Sequence, residues 1–147
     1  SWSGDLWTQD AINYLREERE NPFFLYLSYT APHAGDIGGV AERFEPIPRL
    51  SKSPYATKNW GNEREYAAAI TLIDEQLGII LDTLEEQGIA NNTVVFFASD
   101  NGAHSEGGHD YRYFNSSGIL KGFKRSLSEG GIRTPMVVRS EPLSTIN

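Results

Sequence analysis

The sequence predicts an α/β domain in which part of a mostly parallel sheet is flanked by helices. Three observations carry that prediction. Phe23-Phe24-Leu25-Tyr26-Leu27-Ser28 and Thr93-Val94-Val95-Phe96-Phe97-Ala98 are nearly unbroken apolar runs, the composition of strands covered on both faces. Between them, residues 62–87 repeat apolar side chains at three- and four-residue spacing, as an amphipathic helix does. Strand, long crossover, helix and strand make a unit that is right-handed and parallel as a rule, so both strands are expected to end at one edge of the sheet. At 147 residues the chain has the size of one domain.

In order, a helix is predicted over residues 5–20, where Leu6, Trp7, Ala11, Ile12 and Leu15 share a face and the charged run from Arg16 to Glu20 meets water. Asn21-Pro22 ends it. The strand over residues 23–28 follows and runs into Tyr29-Thr30-Ala31-Pro32-His33. From 34 to 62, Gly35, Gly38, Gly39, Pro46, Pro48 and Pro54 break every period, predicting a long irregular excursion with room for one helical turn. Such a loop is either functional or a plain surface flap. In the long helix, Tyr66, Ala69, Ile70, Ile73, Leu77, Ile80, Leu81 and Leu84 form the core stripe, and Gly88 sits where a left-handed C-cap belongs. Residues 103–123 form a second irregular region holding His104 and His109, whose spacing is not that of a helical zinc site. Either histidine serves the site or merely shapes its loop. A last strand is predicted over 136–138, ending at Arg139.

Composition narrows the function. A net charge of −7 argues against a nucleic-acid or anionic-membrane surface. No apolar run approaches the roughly 18 residues of a membrane-spanning helix. The absence of cysteine excludes disulfides, thiolate metal sites and cysteine nucleophiles from this chain. With neither an initiator Met nor a signal peptide, the chain is expected to be a portion of a longer one.

Two stretches carry candidate chemistry. Asp100 and Asn101, at the C-terminal end of the second strand, are hard oxygen donors suited to Ca²⁺ or Mg²⁺, and Gly102 lets the chain turn away. The same tripeptide is also an ordinary turn. Lys121, Lys124 and Arg125 put three cations in six residues of an acidic chain. They form either a solvated face or, beside a metal at a sheet edge, a grip on an anionic substrate.

Taken together, these blocks have a familiar order. Ser99-Asp100-Asn101-Gly102, the glycine-rich loop after it, Lys121-Gly122-Phe123-Lys124 and Glu129-Gly130-Gly131-Ile132-Arg133-Thr134-Pro135-Met136 closely resemble the arylsulfatases of the alkaline phosphatase superfamily. So does Pro22-Phe23-Phe24-Leu25-Tyr26-Leu27-Ser28-Tyr29-Thr30-Ala31-Pro32-His33, and the helix bearing Tyr66-Ala67-Ala68-Ala69-Ile70 and Asp74 resembles the family helix between these segments. The resemblance spans residues 5–139. It implies an alkaline phosphatase/sulfatase-like fold, with residues 1–147 as the later portion of one catalytic domain.

The resemblance also implies roles. Asp100 and Asn101 match the positions that bind the divalent cation, usually Ca²⁺, with Mg²⁺ the alternative. His33 matches the histidine that contacts the sulfate ester and its leaving oxygen, and Lys124 the lysine that grips the sulfate. Lys121 takes no role, and Glu129 and Arg133 match a framework segment. In a sulfate monoester, attack at sulfur pushes charge onto the bridging oxygen, and fixed cations around the group stabilise that change. A protonated His33 would give its proton to the departing oxygen. The implied partner is a sulfated small molecule or glycan, and the implied location is periplasmic, secreted or lysosomal.

The sequence also departs from the family. Sulfatases oxidise the Cys or Ser of a Cys/Ser-x-Pro-x-Arg segment to formylglycine, and Ser140-Glu141-Pro142-Leu143-Ser144 lacks the arginine. The paired metal-binding aspartates near the family's N-terminus are missing too. The formylglycine is therefore expected outside this chain, which alone should be inactive and should expose an unpaired sheet edge that invites self-association. The alternatives are a phosphonate or phosphate ester hydrolase of the same superfamily and a non-catalytic binding module that keeps the fold. Asn91-Asn92-Thr93 and Asn115-Ser116-Ser117 fit the glycosylation pattern.

Overall fold

The structure, a computed structural model, describes residues 2–37, 40–43 and 53–140. Gly38, Gly39, Pro46 and Pro48 of the predicted excursion, and residues 141–144, lie outside the described residues.

Helix α1 spans Ser3–Leu15 and buries Thr8, Ala11, Ile12 and Leu15, a three- and four-residue pattern. It stops short of the predicted residue 20. The Arg19 guanidinium lies 3.7 Å from the centre of the Tyr14 ring and donates to the Tyr14 carbonyl. In a continuing helix that carbonyl would accept the Glu18 N–H, so the arginine side chain replaces the next turn.

Two short strands, β1 over Gly35–Ile37 and β2 over Val40–Arg43, pair antiparallel with Gly35 opposite Arg43 and Ile37 opposite Val40. The sequence predicted only irregular chain here. Its glycines hid the alternation that marks a strand.

Helix α2, Asn62–Glu86, has the predicted extent. Ala68, Ala69, Leu72, Ile73, Gln76, Ile80, Thr83 and Leu84 face inward. Ile70, placed in the stripe by spacing, is exposed, and Leu72 takes the inward position instead. Gly88, at φ 68°, closes the helix by donating its N–H to the Glu85 carbonyl at 2.9 Å, and the Ile89 N–H reaches the Leu84 carbonyl at 3.1 Å. A left-handed residue is needed there, and glycine takes it without strain. A 3₁₀ turn, Ala90–Asn92, then carries the chain into β3, Val95–Ala98.

The core sits where α1 crosses α2. Ala11, Leu15, Ile80, Leu84 and Ala90 form its centre, and Phe23, Leu25, Leu27, Tyr29 and Val95 pack against it. Polar contacts tie the helices at both ends: Gln76 Nε2 donates to Asp5 Oδ1 at 3.0 Å, and Arg16 meets Glu86 at 3.2 Å.

The α/β class predicted from sequence is the class observed. Both ladders among the described residues are antiparallel: β1 with β2, and β3 with β4, Met136–Arg139. Residues 23–28, predicted as a strand, belong to neither ladder. They keep a strand's alternation even so, with Phe23, Leu25 and Leu27 half-buried and Phe24 and Tyr26 exposed. Period reports which face is covered, whereas a strand also needs a neighbour to bond with. A single helical turn, α3 over Glu129–Ile132, precedes β4.

Candidate active site

The site is built from three backbone segments that pass almost in contact. Beyond β3, the Gly102 N–H donates to the Gly131 carbonyl at 2.9 Å, and a Cβ on Gly102 would lie 1.9 Å from the Gly130 oxygen. A Cβ on Gly130 would in turn lie 2.1 Å from the Gly122 oxygen. Only bare backbone fits at Gly102 and Gly130. The adjacent Arg133 and Glu129 side chains are exposed and 3.9 Å apart, at the surface of this framework. One more bond matters for chemistry: the Lys124 N–H donates to the Ala103 carbonyl at 2.6 Å, fixing Lys124 beside the strand end.

His33 and Lys124, far apart in sequence, converge on one carboxylate. Lys124 Nζ lies 2.9 Å and His33 Nε2 3.5 Å from the same oxygen, Oε2 of Glu106. Arg125 reaches the other oxygen, Oε1, at 2.8 Å. His33 Nδ1 faces the Ala34 carbonyl at 2.6 Å, so both ring nitrogens point at acceptors and the doubly protonated ring satisfies both. Burial pushes the Glu106 carboxyl up, but the hydrogen bond and charge of Lys124, with His33 and Arg125, outweigh it and hold the group below its usual range.

Beneath these groups lies a second histidine–carboxylate layer. His104 is buried; its Nε2 donates to the Pro32 carbonyl at 3.2 Å, leaving Nδ1 to accept the Glu106 N–H at 3.1 Å. That contact couples the segment before His33 to the loop bearing Glu106. His109 Nδ1 bonds Glu63 Oε2 in the first turn of α2, the other Glu63 oxygen accepts the Asp110 N–H at 2.8 Å, and Tyr66 stacks on the ring at 3.8 Å. The two histidines left open by the sequence are thus bonded to the loop and to the segments packed against it.

Asp100 and Asn101 stand at the end of β3, Asp100 exposed, and the Asn101 amide donates to an Asp100 oxygen. The Ser99 hydroxyl bonds the Asn101 carbonyl at 2.8 Å and tightens this turn. They join Lys124 through the backbone, by way of Ala103, and no contact of theirs with His33 is seen among the described residues. The pair offers two hard oxygen donors of the six to eight that Ca²⁺ takes. Among the described residues no group of three or more His, Asp or Glu side chains is arranged to hold a metal.

Sequence reasoning missed Glu106 and Glu63 as members of this cluster, and named Arg125 only within the basic run. The available signal was chemical: cations gathered near a histidine need a counter-charge, and Glu106 lies between the two loop histidines.

A Sulfatase family model matches residues 3–144. Rat steryl-sulfatase is 34% identical over 132 residues, covering 88% of this chain and 20% of that protein. Rat N-acetylgalactosamine-6-sulfatase is 35% identical over 139 residues, covering 90% of this chain and 22% of that protein. A crystal structure of Ps i-CgsB in complex with k-i-k-neocarrahexaose superposes with a TM-score of 0.69 and 28% identity, over 95% of this chain and 28% of that one. The chain thus spans about a fifth of the length of its curated relatives. On this match over nearly its whole length, the chain belongs to the sulfatase family.

Proposed function

We propose that the whole protein carrying this chain is a sulfuric-ester hydrolase and that this chain supplies its sulfate-binding and part of its metal-binding residues. The convergence of His33 Nε2 and Lys124 Nζ on one buried oxygen, in a chain of the sulfatase family, carries this reading. An oxygen of a sulfate ester has the charge and the acceptor capacity that Glu106 Oε2 shows to these two groups.

Lys124 grips the sulfate as a point charge, and its short tether to Ala103 holds it in place before substrate arrives. His33, its Nδ1–H anchored on the Ala34 carbonyl, gives the Nε2 proton to the departing ester oxygen. Asp100 and Asn101 contribute oxygens to a divalent cation, Ca²⁺ with Mg²⁺ as the alternative. When bound, that ion adds positive charge against the sulfate. The nucleophile, a formylglycine, comes from sequence outside this chain. The substrate is a sulfated small molecule or glycan.

The test uses the full-length protein with an aryl sulfate and the matching aryl phosphate, beside a calorimetric Ca²⁺ titration. Sulfate-ester turnover that drops about 10²- to 10³-fold in Lys124→Ala, with Ca²⁺ binding lost in Asp100→Ala, is the expected outcome. Preference for the phosphate would move the assignment to another branch of the superfamily. Absence of both Ca²⁺ binding and turnover would mean the fold has been kept without the chemistry.

A further inference from the structure

A buried carboxylate in a site meant for an anion repels the substrate, so its presence calls for a compensating use. Depth supplies the clue. The Glu106 side chain is 8% exposed, Lys124 17%, His33 57% and Arg125 74%, so the carboxylate lies at the bottom and the cations rise from it toward solvent. A lysine ammonium carries three N–H donors; Glu106 Oε2 takes one and thereby aims the other two. With His33 protonated, three positive charges face one negative, and the cluster keeps a net attraction for an anion. Arg125 completes the arrangement from a left-handed backbone, φ 75°, a conformation a non-glycine residue keeps where its surroundings demand it.

We propose that Glu106 is the positioning residue of the sulfate grip, anchoring Lys124 and His33 from beneath so that both meet the sulfate already oriented. This rests on the sulfatase reading above. Glu106 touches neither sulfur nor leaving group; it acts through the two groups that do. Its negative charge also lowers ground-state affinity for the anion, which leaves more of the binding energy to appear in the transition state.

In the full-length protein, Glu106→Gln keeps size and an accepting oxygen while removing the charge. On an aryl sulfate, kcat is expected to fall about tenfold as Lys124 and His33 lose their aim, and KM to fall about threefold as uncompensated cations hold the ground-state anion harder. Glu106→Asp, which keeps the charge with a shorter reach, is expected to return KM to the parent value while kcat stays low. A merely structural role would shrink the active fraction without lowering KM, so an unchanged kcat or an unchanged or raised KM overturns the proposal. Calorimetric titration with inorganic sulfate decides the same point without turnover. The Gln variant should bind about threefold tighter, and the difference should vanish in a Lys124→Met background. Equal affinity in parent and Gln variant overturns the positioning role. Failure of the parent to hydrolyse any sulfate ester would sink the sulfatase reading, and the sulfate titration would still decide Glu106.

Discussion

Glu106 and His104 set how the site responds to acid, and their shifts act with the same sign. The Glu106 carboxyl sits below its ordinary 4.5, its cationic partners outweighing burial. A depressed folded pKa means stability that is present above 4.5 and lost as pH falls through the folded value. His104 is held below its ordinary 6.5, first by burial and then by the nearby His109. The unfolded chain takes up that proton as pH drops past 6.5 while the folded chain resists it, so stability falls there as well. The urea midpoint should therefore decline from about pH 7 to about pH 4, and Glu106→Gln should flatten the lower part of the decline. A midpoint that rises on acidification would contradict both assignments. None of this was legible in the sequence, because a lone glutamate in a glycine-rich loop belongs to no period. His33, Lys124, Asp100 and Asn101 were legible only as members of ordered blocks, and two of them, His33 and Lys124, prove to share a partner.

At the level of elements, legibility followed periodicity. The stripe of α2 and its glycine cap could be read directly, since burial on one face imposes a 3.6-residue repeat and a left-handed end demands glycine. The end of α1 could not, because a side chain, Arg19, terminates it. The ladder partners of the strands could not either, because alternation is the same whichever neighbour a strand has. The glycines after β3 and in α3 are a different kind of element, a three-way backbone contact. Gly102→Ala would drive a methyl group into the Gly130 carbonyl, so the segments must part. The expected cost is about 1–3 kcal/mol in urea unfolding, and the Ala103–Lys124 bond should loosen with it. Gly78→Ala makes the control: its Cβ meets nothing within 4 Å in the middle of α2, and the change should stabilise by about 0.5–1 kcal/mol. If the two substitutions behave alike, the close approach at Gly102 is not what holds the site.

On the scale of the whole molecule, the β3–β4 pair is covered only near Val95, and Phe97 and Val137 on that same face are exposed like the residues of the other face. Val95 and the alternating Phe23, Leu25, Leu27 and Tyr29 lie against the helices. Phe24 is 87% exposed and Phe96 67%, and Tyr26, which alternates with Phe24, is exposed as well. Val138 stands opposite Phe96 and Met136 opposite Ala98 across the antiparallel pair, so both add to the Phe96 face, and both are exposed. Exposed apolar surface of this kind lowers its free energy by leaving water, and on an isolated chain the available partner is a second copy. The isolated 147-residue chain is therefore expected to self-associate, with a sedimentation coefficient that rises with concentration. Phe96→Glu puts a charge on that face at an exposed position, where folding stability should change by no more than about 0.5 kcal/mol. It should shift the chain toward monomer while its urea midpoint stays in place. A clean monomer at every concentration, or association indifferent to Phe96→Glu, would mean that the Phe96 face is not the surface through which copies meet.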